Sequence, residues 1–376
     1  MSPVVPSAVS RTDGSSPTVD DARALAEWRP PLGVISIYLK VDPADRSGAW
    51  RTELRNDLDK VLETANGSDR VERLALRTTA GAVVERFADT DLWPLPRGEV
   101  GFVEVAPEPS VQRWWPSHLF PRSPRSAYFA ERPVVAPLVG MVERGAARGV
   151  ALLSTERVRL LQWTPGELEE LKSWEITLTS LDWRERKAQR TADPARAQGV
   201  SAAGREQFGE RLAENRHRFL GECHRLTLAI AASRAWSEVV VFGAARHVGA
   251  FREGISSRPE VVVGGEVDLI STPAGELEAI VGEAIERLDG ERHRLLVERV
   301  LDEARGGRRA TAGAQETLAA LEEGRVEHLL VDCTGEGDTE QLVRLALTSG
   351  AAVTTMSGGA ADLLGSTEGV AASLRY

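Results

Sequence analysis

Cysteine is almost missing from this sequence. Its two residues, Cys223 and Cys333, stand far apart with no CxxC spacing, which excludes a disulfide framework and a cysteine-rich zinc site and leaves two reduced, buried thiols. Histidine is scarce too. The six residues His118, His217, His224, His247, His293 and His328 show no HExxH or HxH spacing, so no metal and no cofactor are expected, and each reads more readily as a surface or packed side chain. The glycine pairs Gly264-Gly265, Gly306-Gly307 and Gly358-Gly359 fit neither GxGxxG after a strand nor GxxxxGK[ST] and read as turns, and no GxSxG elbow is present. Long hydrophobic runs are absent. Met1 to Ser16 lacks the basic-then-apolar layout of a signal peptide, so a cytoplasmic protein without membrane contact is expected.

What is present is a chain of 376 residues, enough for two or three domains with real cores. Residues 1–22 are rich in Ser, Pro, Thr and Asp and read as a flexible tail. The run Val34 to Leu39 closes at Asp42-Pro43 as a buried strand, and Trp50, Leu54, Leu58, Val61 and Leu62 then keep one face of a helical period. A second helix from about Asp69 to Phe87 and a strand from Gly98 to Val105 follow. The segment 107–137, dense in Pro, Arg and aromatics, reads as an irregular connection. Tyr38, Trp50, Trp114 and Trp115 read as packing residues rather than base-stacking platforms.

A second domain, 138–270, opens with three strands at Gly149–Ser154, Arg157–Trp163 and Leu171–Leu178. After a long polar stretch comes a helix from Arg205 to about Ser233, with Phe208, Leu212, Phe219, Cys223, Leu226 and Ile230 on one face. Buried strands follow at Val239–Gly243 and Val261–Gly265. A third domain, 271–376, reads as two helices (Gly275–Asp289 and from Arg292 toward Ala304) and then alternating helices and strands ending at Tyr376, the pattern of an α/β/α layered domain.

The net charge of −10 argues against a nucleic-acid partner only as an average. Between residues 184 and 218 nine basic side chains meet five acidic ones, while 271–376 carries 10 basic against 19 acidic residues. Inside the basic segment lies Ala195 to Gly204, small and polar, directly before the long helix. A loop of that kind on a rigid helix suits phosphate contacts, and a solvated linker beside a charged helix face is the plain reading of the same residues.

The third domain carries motifs that lend this segment a meaning. The stretch Leu318 to Asp332 (LAALEEGRVEHLLVD) resembles the ALxxGxVxxLLVxD pattern in the last domain of archaeal and eukaryotic peptide-chain release factors and their Pelota relatives. Leu342, Ala346, Ser349 to Val353 and the ending Gly369 to Tyr376 (GVAASLRY) resemble that superfamily's closing pattern, GGIAAxLRY. The middle domain is similar to the second domain of the same proteins: a strand meander, a polar loop and a long helix. The first domain resembles the reduced one of bacterial members, the Vms1-like type of release factor.

The resemblance implies a multidomain α/β protein. Its parts would be a reduced α/β N-terminal domain (23–137), a central mixed-sheet, RNase H-like domain (138–270) and an L7Ae-like C-terminal domain (271–376). In the family the middle loop carries Gly-Gly-Gln, whose Gln helps water attack the peptidyl-tRNA ester in the ribosome. Here Ala197-Gln198-Gly199 stands in that place, without the two preceding glycines, so Gln198 is the catalytic candidate and Arg190, Arg196, Gly199, Arg205 and Arg211 are the RNA-binding candidates. The implied partners are the ribosome and peptidyl-tRNA, with a translational GTPase or another protein at the acidic C-terminal domain, and a monomer is expected. Three functions follow from these residues: a peptidyl-tRNA-hydrolysing rescue or release factor, a non-catalytic ribosome binder for rescue or hibernation, and a stand-alone RNA-binding regulator. No stop-codon-reading motif is recognised in residues 30–135.

Overall fold

The computed structural model describes residues 10–11, 16–41, 47–64, 69–87, 98–108, 112–117, 119, 121–176, 202–252, 259–332 and 339–376; the side chains of 10–11, 64 and 202–212 lie outside that description. The chain divides into two compact units, one made of Met1–Gly145 with Asp289–Tyr376, the other of Ala146–Leu288. The sequence reading places its domain limits near Pro137 and Ser271.

In the first unit, helix α1 (Val19–Glu27) begins inside the segment read as tail. Thr18 and Asp21 form a reciprocal capping box: the Thr18 hydroxyl accepts from the Asp21 N–H at 3.2 Å, and the Asp21 carboxylate accepts from the Thr18 N–H at 2.9 Å. The acidic first turn that looked like tail composition is a helix start, and Ala22, Leu25 and Ala26 are buried behind it.

The first sheet runs β1 (Ser10–Arg11), β4 (Gln112–Ser117), β3 (Gly98–Glu104), β2 (Val34–Lys40), β5 (Ala127–Ala130), with β1 parallel to β4 and the other pairs antiparallel. Side chains alternate across it, as a strand period of two requires. Ile35, Ile37 and Leu39, with Val103 and Trp114, meet the apolar faces of α2 (Ala49–Thr64) and α3 (Arg70–Arg86); Val34, Tyr38, Val100, Phe102 and Trp115 turn to the other face. The expectation of an irregular connection over 107–137 is therefore corrected: β4 and β5 lie within it, and α4 (Ala136–Arg144) begins at its end. Pro116 hid the strand. Among the described residues β1 pairs with β4 only at Arg113 and Trp114, so none of them needs a hydrogen bond from the missing N–H of Pro116 on that side.

The C-terminal part of this unit has a sheet in the order β11 (Ala310–Ala312), β14 (Val370–Leu374), β12 (Val326–Asp332), β13 (Ala352–Met356). Only the β12–β13 pair is parallel. Leu329, Val331, Val370 and Ala372 face α8 (Ala314–Glu322) and α9 (Glu340–Thr348), and Leu330 and Ala371 face the other way, toward the C-terminal half of α7 (Ala274–Arg305) and α10 (Gly359–Leu364). This is the expected α/β/α layering. The α8–α9 side is not a separate core: Ala320, Leu321, Leu342 and Val343 belong to one buried cluster with Val34, Tyr38, Phe102 and Trp115.

The second unit holds a mixed sheet in the order β8 (Glu167–Glu175), β7 (Arg157–Thr164), β6 (Arg148–Leu153), β9 (Glu238–Phe242), β10 (Glu260–Gly265), which is 3-2-1-4-5 counted within the unit. The first three strands are antiparallel; β6, β9 and β10 are parallel. Helices α5 (Ala202–Ser233) and α6 (Ala245–Arg252) pack on one face, and Leu277, Val281 and Ile285 of α7 on the other. Three sequence expectations change here. Helix α7 is a single helix of 32 residues where two were read; its apolar stripe changes partner around Asp289-Gly290, and a mid-helix glycine costs only about 1 kcal/mol. Strand β8 starts at Glu167, earlier than Leu171, its acidic side chains disguising an edge strand. The turn reading of Gly264-Gly265 gives way to the strand reading of the same residues, since β10 runs through both, and a Cβ at Gly264 would meet the Phe242 ring at 2.5 Å.

Candidate functional site

The segment with the candidate residues is bounded by Ile176, just past β8, and Ala202, the first residue of α5. Gln198, Arg190, Arg196 and Gly199 lie outside the described residues. Arg205 and Arg211 fall in the first three turns of α5, where the backbone alone is described. What can be built is the frame.

That frame rests on Glu156, in the tight turn between β6 and β7. Its backbone carbonyl accepts the Ile176 N–H at 2.9 Å, and its carboxylate stands 3.8 Å from the Arg216 guanidinium on α5. One residue thus touches the chain just before the candidate segment and the helix just after it. Neighbouring bonds stiffen the same corner: the Ser154 hydroxyl caps the turn by accepting the Arg157 N–H at 3.1 Å, and the Arg157 guanidinium reaches Glu175 at 3.3 Å and donates to the Ser173 hydroxyl at 2.9 Å. Sequence reading overlooked Glu156, and the only signal for it was the short Ser154-Thr155-Glu156 link between two strands.

Helix α5 packs through part of the expected face, with Cys223 buried and Phe219 and Ile230 against the same core, but not through Leu226. Leu220, Cys223, His224, Thr227 and Ala231 are buried, while Leu226 is 42% exposed. From Cys223 the helical period reaches Thr227 as readily as Leu226, and Thr227 is the one buried, while the His224 ring stands edge-on to Phe251 of α6 at 5.0 Å between centroids. Burial lowers the pKa of His224, so the ring is held neutral, and burial with the nearby Arg246 and Arg216 guanidinium groups does the same for His247. The Cys223 thiol is pushed up to about 12 by burial, with Glu222 adding to it, which suits the packed thiol expected and not a nucleophile. Cys333 lies outside the described residues.

Glu214, His217, Arg218 and Arg225 occupy the exposed side of α5. Among the described residues no group of three His, Cys, Asp or Glu side chains could hold a metal ion, and no helix is long and apolar enough to cross a membrane. The described part of the unit therefore supplies a rigid, packed base and polar exposed groups.

Tyr38, Trp50, Trp114 and Trp115 are buried as expected. Tyr38 sits edge-on to Phe102 at 6.0 Å and donates its hydroxyl to the Val134 carbonyl at 2.5 Å, leaving no face for a base.

No curated protein matches the chain. Among solved structures it is similar to the archaeal translation termination factor aRF1 (19% identity over 96% of this chain and 99% of that one, TM-score 0.25). Archaeoglobus fulgidus Pelota gives 12% identity, 96% and 93% coverage and a TM-score of 0.35, and S. cerevisiae Dom34, described as a translation termination-like factor in RNA quality control, gives 9%, 74% and 79%, and 0.40. At these scores the likeness says nothing of how the two units are arranged. The family model that matches begins at the first residue of the second unit, away from the last hundred residues where the sequence motifs were densest. It is that of bacterial archaeo-eukaryotic release factor family 5, over residues 146–271, and it bears out for the middle of the chain the superfamily resemblance read from the sequence.

Proposed function

We propose that this protein is a cytoplasmic translation factor that docks in the ribosome and cleaves the peptidyl-tRNA ester in rescue or peptide release. The observation that carries this reading is the family match over residues 146–271, which contains the whole basic segment and Gln198. On this reading α5 is the rigid arm and the loop before it is the working end. The Gln198 amide or backbone N–H orients the attacking water and stabilises the developing oxyanion; Arg190, Arg196, Arg205 and Arg211, with the Gly199 backbone, contact RNA phosphate. The sequence has no His, Asp or Glu from Pro194 to Gly204, so on this reading no protein general base takes part. The acidic C-terminal segment, with no lysine and 19 carboxylates, would meet a protein such as a translational GTPase.

Peptide release from stalled ribosome complexes tests the catalytic part. Gln198→Ala should lower release about a hundredfold, the usual loss for one oxyanion donor, while leaving cosedimentation with ribosomes intact. Unchanged release would sink it.

A second reading is favoured by one observation. Family members place Gly-Gly before the Gln, and this chain has Arg196-Ala197, whose side chains restrict the close, positive-φ approach that glycine permits. On that reading the protein binds ribosomes without cleaving the ester, and Ala197→Gly with Arg196→Gly would bring release up from background.

A further inference from the structure

Positive charge gathers at a second place, remote in sequence from the basic loop and unused by the function just proposed. A cleft of about 730 Å3 opens in the first unit between the end of α1, the turn after β5 and helix α9. That volume is within the range of small-molecule sites. Three arginines enter it from three separate segments: Arg29, Arg132 and Arg344.

The charge in the cleft is poorly neutralised. Burial first, and then Arg29 and Arg344 as like charges, disfavour the ionised form of Arg132, with Glu131 opposing them. Neither Arg29 nor Arg132 makes an ion pair with a described residue, and the buried Nε of Arg344 has no hydrogen-bond partner among them. The carboxylates nearby offset this only in part. Glu340 is committed to the backbone N–H groups of Val135 and Ala136, at 2.9 and 3.0 Å, and to Arg344 at 3.4 Å, while Glu27 and Glu131 are exposed. Guanidinium forks bind phosphate oxygens in paired, charge-assisted hydrogen bonds, and an anion between them turns mutual repulsion into attraction.

The rest of the lining indicates more than a bare anion. Ala26, Ala130 and Leu345 give an apolar wall, and Gln341 adds an amide that can donate to and accept from the edge of a heterocycle. The geometry points to a nucleoside-phosphate site in this cleft, with the phosphate held by Arg29, Arg132 and Arg344 and the base laid against Leu345 beside Gln341.

Calorimetric titration of the full chain with ATP, AMP, adenosine and inorganic phosphate, at low and at moderate salt, tests this. Nucleotides should bind at least about tenfold more tightly than inorganic phosphate or adenosine, and more weakly as salt rises. Arg29→Ala and Arg132→Ala, both at side chains that are not buried, should each weaken nucleotide binding about tenfold with the unfolding midpoint of the ligand-free protein unchanged. Three results overturn the assignment. These are no nucleotide binding at millimolar concentration, binding by the Arg29→Ala/Arg132→Ala double variant equal to the parent's, or inorganic phosphate binding as tightly as nucleotides, which would make this a bare anion site. Binding of a short RNA that is lost in the double variant, with mononucleotides silent, overturns it equally.

Discussion

The carboxylate of Glu340 accepts the backbone N–H of Ala136 at 3.0 Å, across 204 positions of sequence. Helix α4, which starts there, has no side-chain cap of its own at Val135, and Glu340 supplies it by taking the Val135 N–H as well. A residue of the C-terminal segment thus finishes a helix of the N-terminal one. Replacing it with Ala strands two buried donors and should cost about 2 to 3 kcal/mol in urea unfolding.

The same carboxyl makes stability depend on pH. Burial pushes Glu340 up to about 7 from an ordinary 4.5, against the pull of the two N–H groups and Arg344. The folded protein therefore holds a proton that the unfolded chain has already released. Its contribution is complete below about pH 4.5 and is lost as the pH rises through about 7, by up to about 3 kcal/mol. Comparing the parent with Glu340→Gln by urea unfolding at pH 5 and pH 8 should show the parent losing more stability over that interval. Parallel pH profiles would contradict this.

Arg148 and Glu238 form a buried ion pair at 2.7 Å between neighbouring strands of the second unit. Arg148→Met leaves the Glu238 carboxylate buried without its cation and should destabilise by about 3 to 5 kcal/mol; adding Glu238→Leu should recover most of the loss. Thermal unfolding of the two single variants and the double one checks this, and additive losses would mean the pair is not coupled.

Gly101 lies under the ring of Trp114, and a Cβ at that position would sit 2.1 Å from it. Gly101→Ala must push the indole out of the core beneath α2 and α3, at a cost of about 1 to 3 kcal/mol or more. Gly81, on the helix α3 with nothing within 4 Å of its missing Cβ, is the control: Gly81→Ala should be neutral or stabilising.

Cys223, buried with its thiol pushed up to about 12, should be silent to disulfide reagents at pH 8 in the native protein. In a Cys333→Ser background, one thiol should titrate only after denaturant is added.

Legibility of the sequence followed the range of the forces involved. Strand β2 and helices α2 and α3 could be read because Ile35, Ile37, Leu39, Trp50, Leu54 and Leu58 carry their burial in their spacing. Strand β4 could not, since Trp114 and Trp115 face opposite sides of a sheet whose partners are supplied by residues before 105. The burial of Thr227 rather than Leu226 on α5 was equally invisible, since the helical period from Cys223 allows either. At the candidate site, the long helix and the polar segment before it were evident, whereas Glu156 acts through a backbone carbonyl as much as through its side chain, and composition has no mark for that. The Arg29, Arg132 and Arg344 cleft was illegible for the same reason: three arginines about a hundred and two hundred residues apart meet only by folding.

The division of the chain has a consequence for its own synthesis. Residues 146–288 are contiguous and have every partner for their core as soon as they leave the ribosome. The first 145 residues do not. The sheet face with Val34, Tyr38, Phe102 and Trp115 shares its cluster with Leu321, Leu329, Leu342 and Val343, which are made only after the middle unit. The nascent protein must carry an open apolar face through the translation of the whole middle unit, and a chain released early never acquires the means to close it.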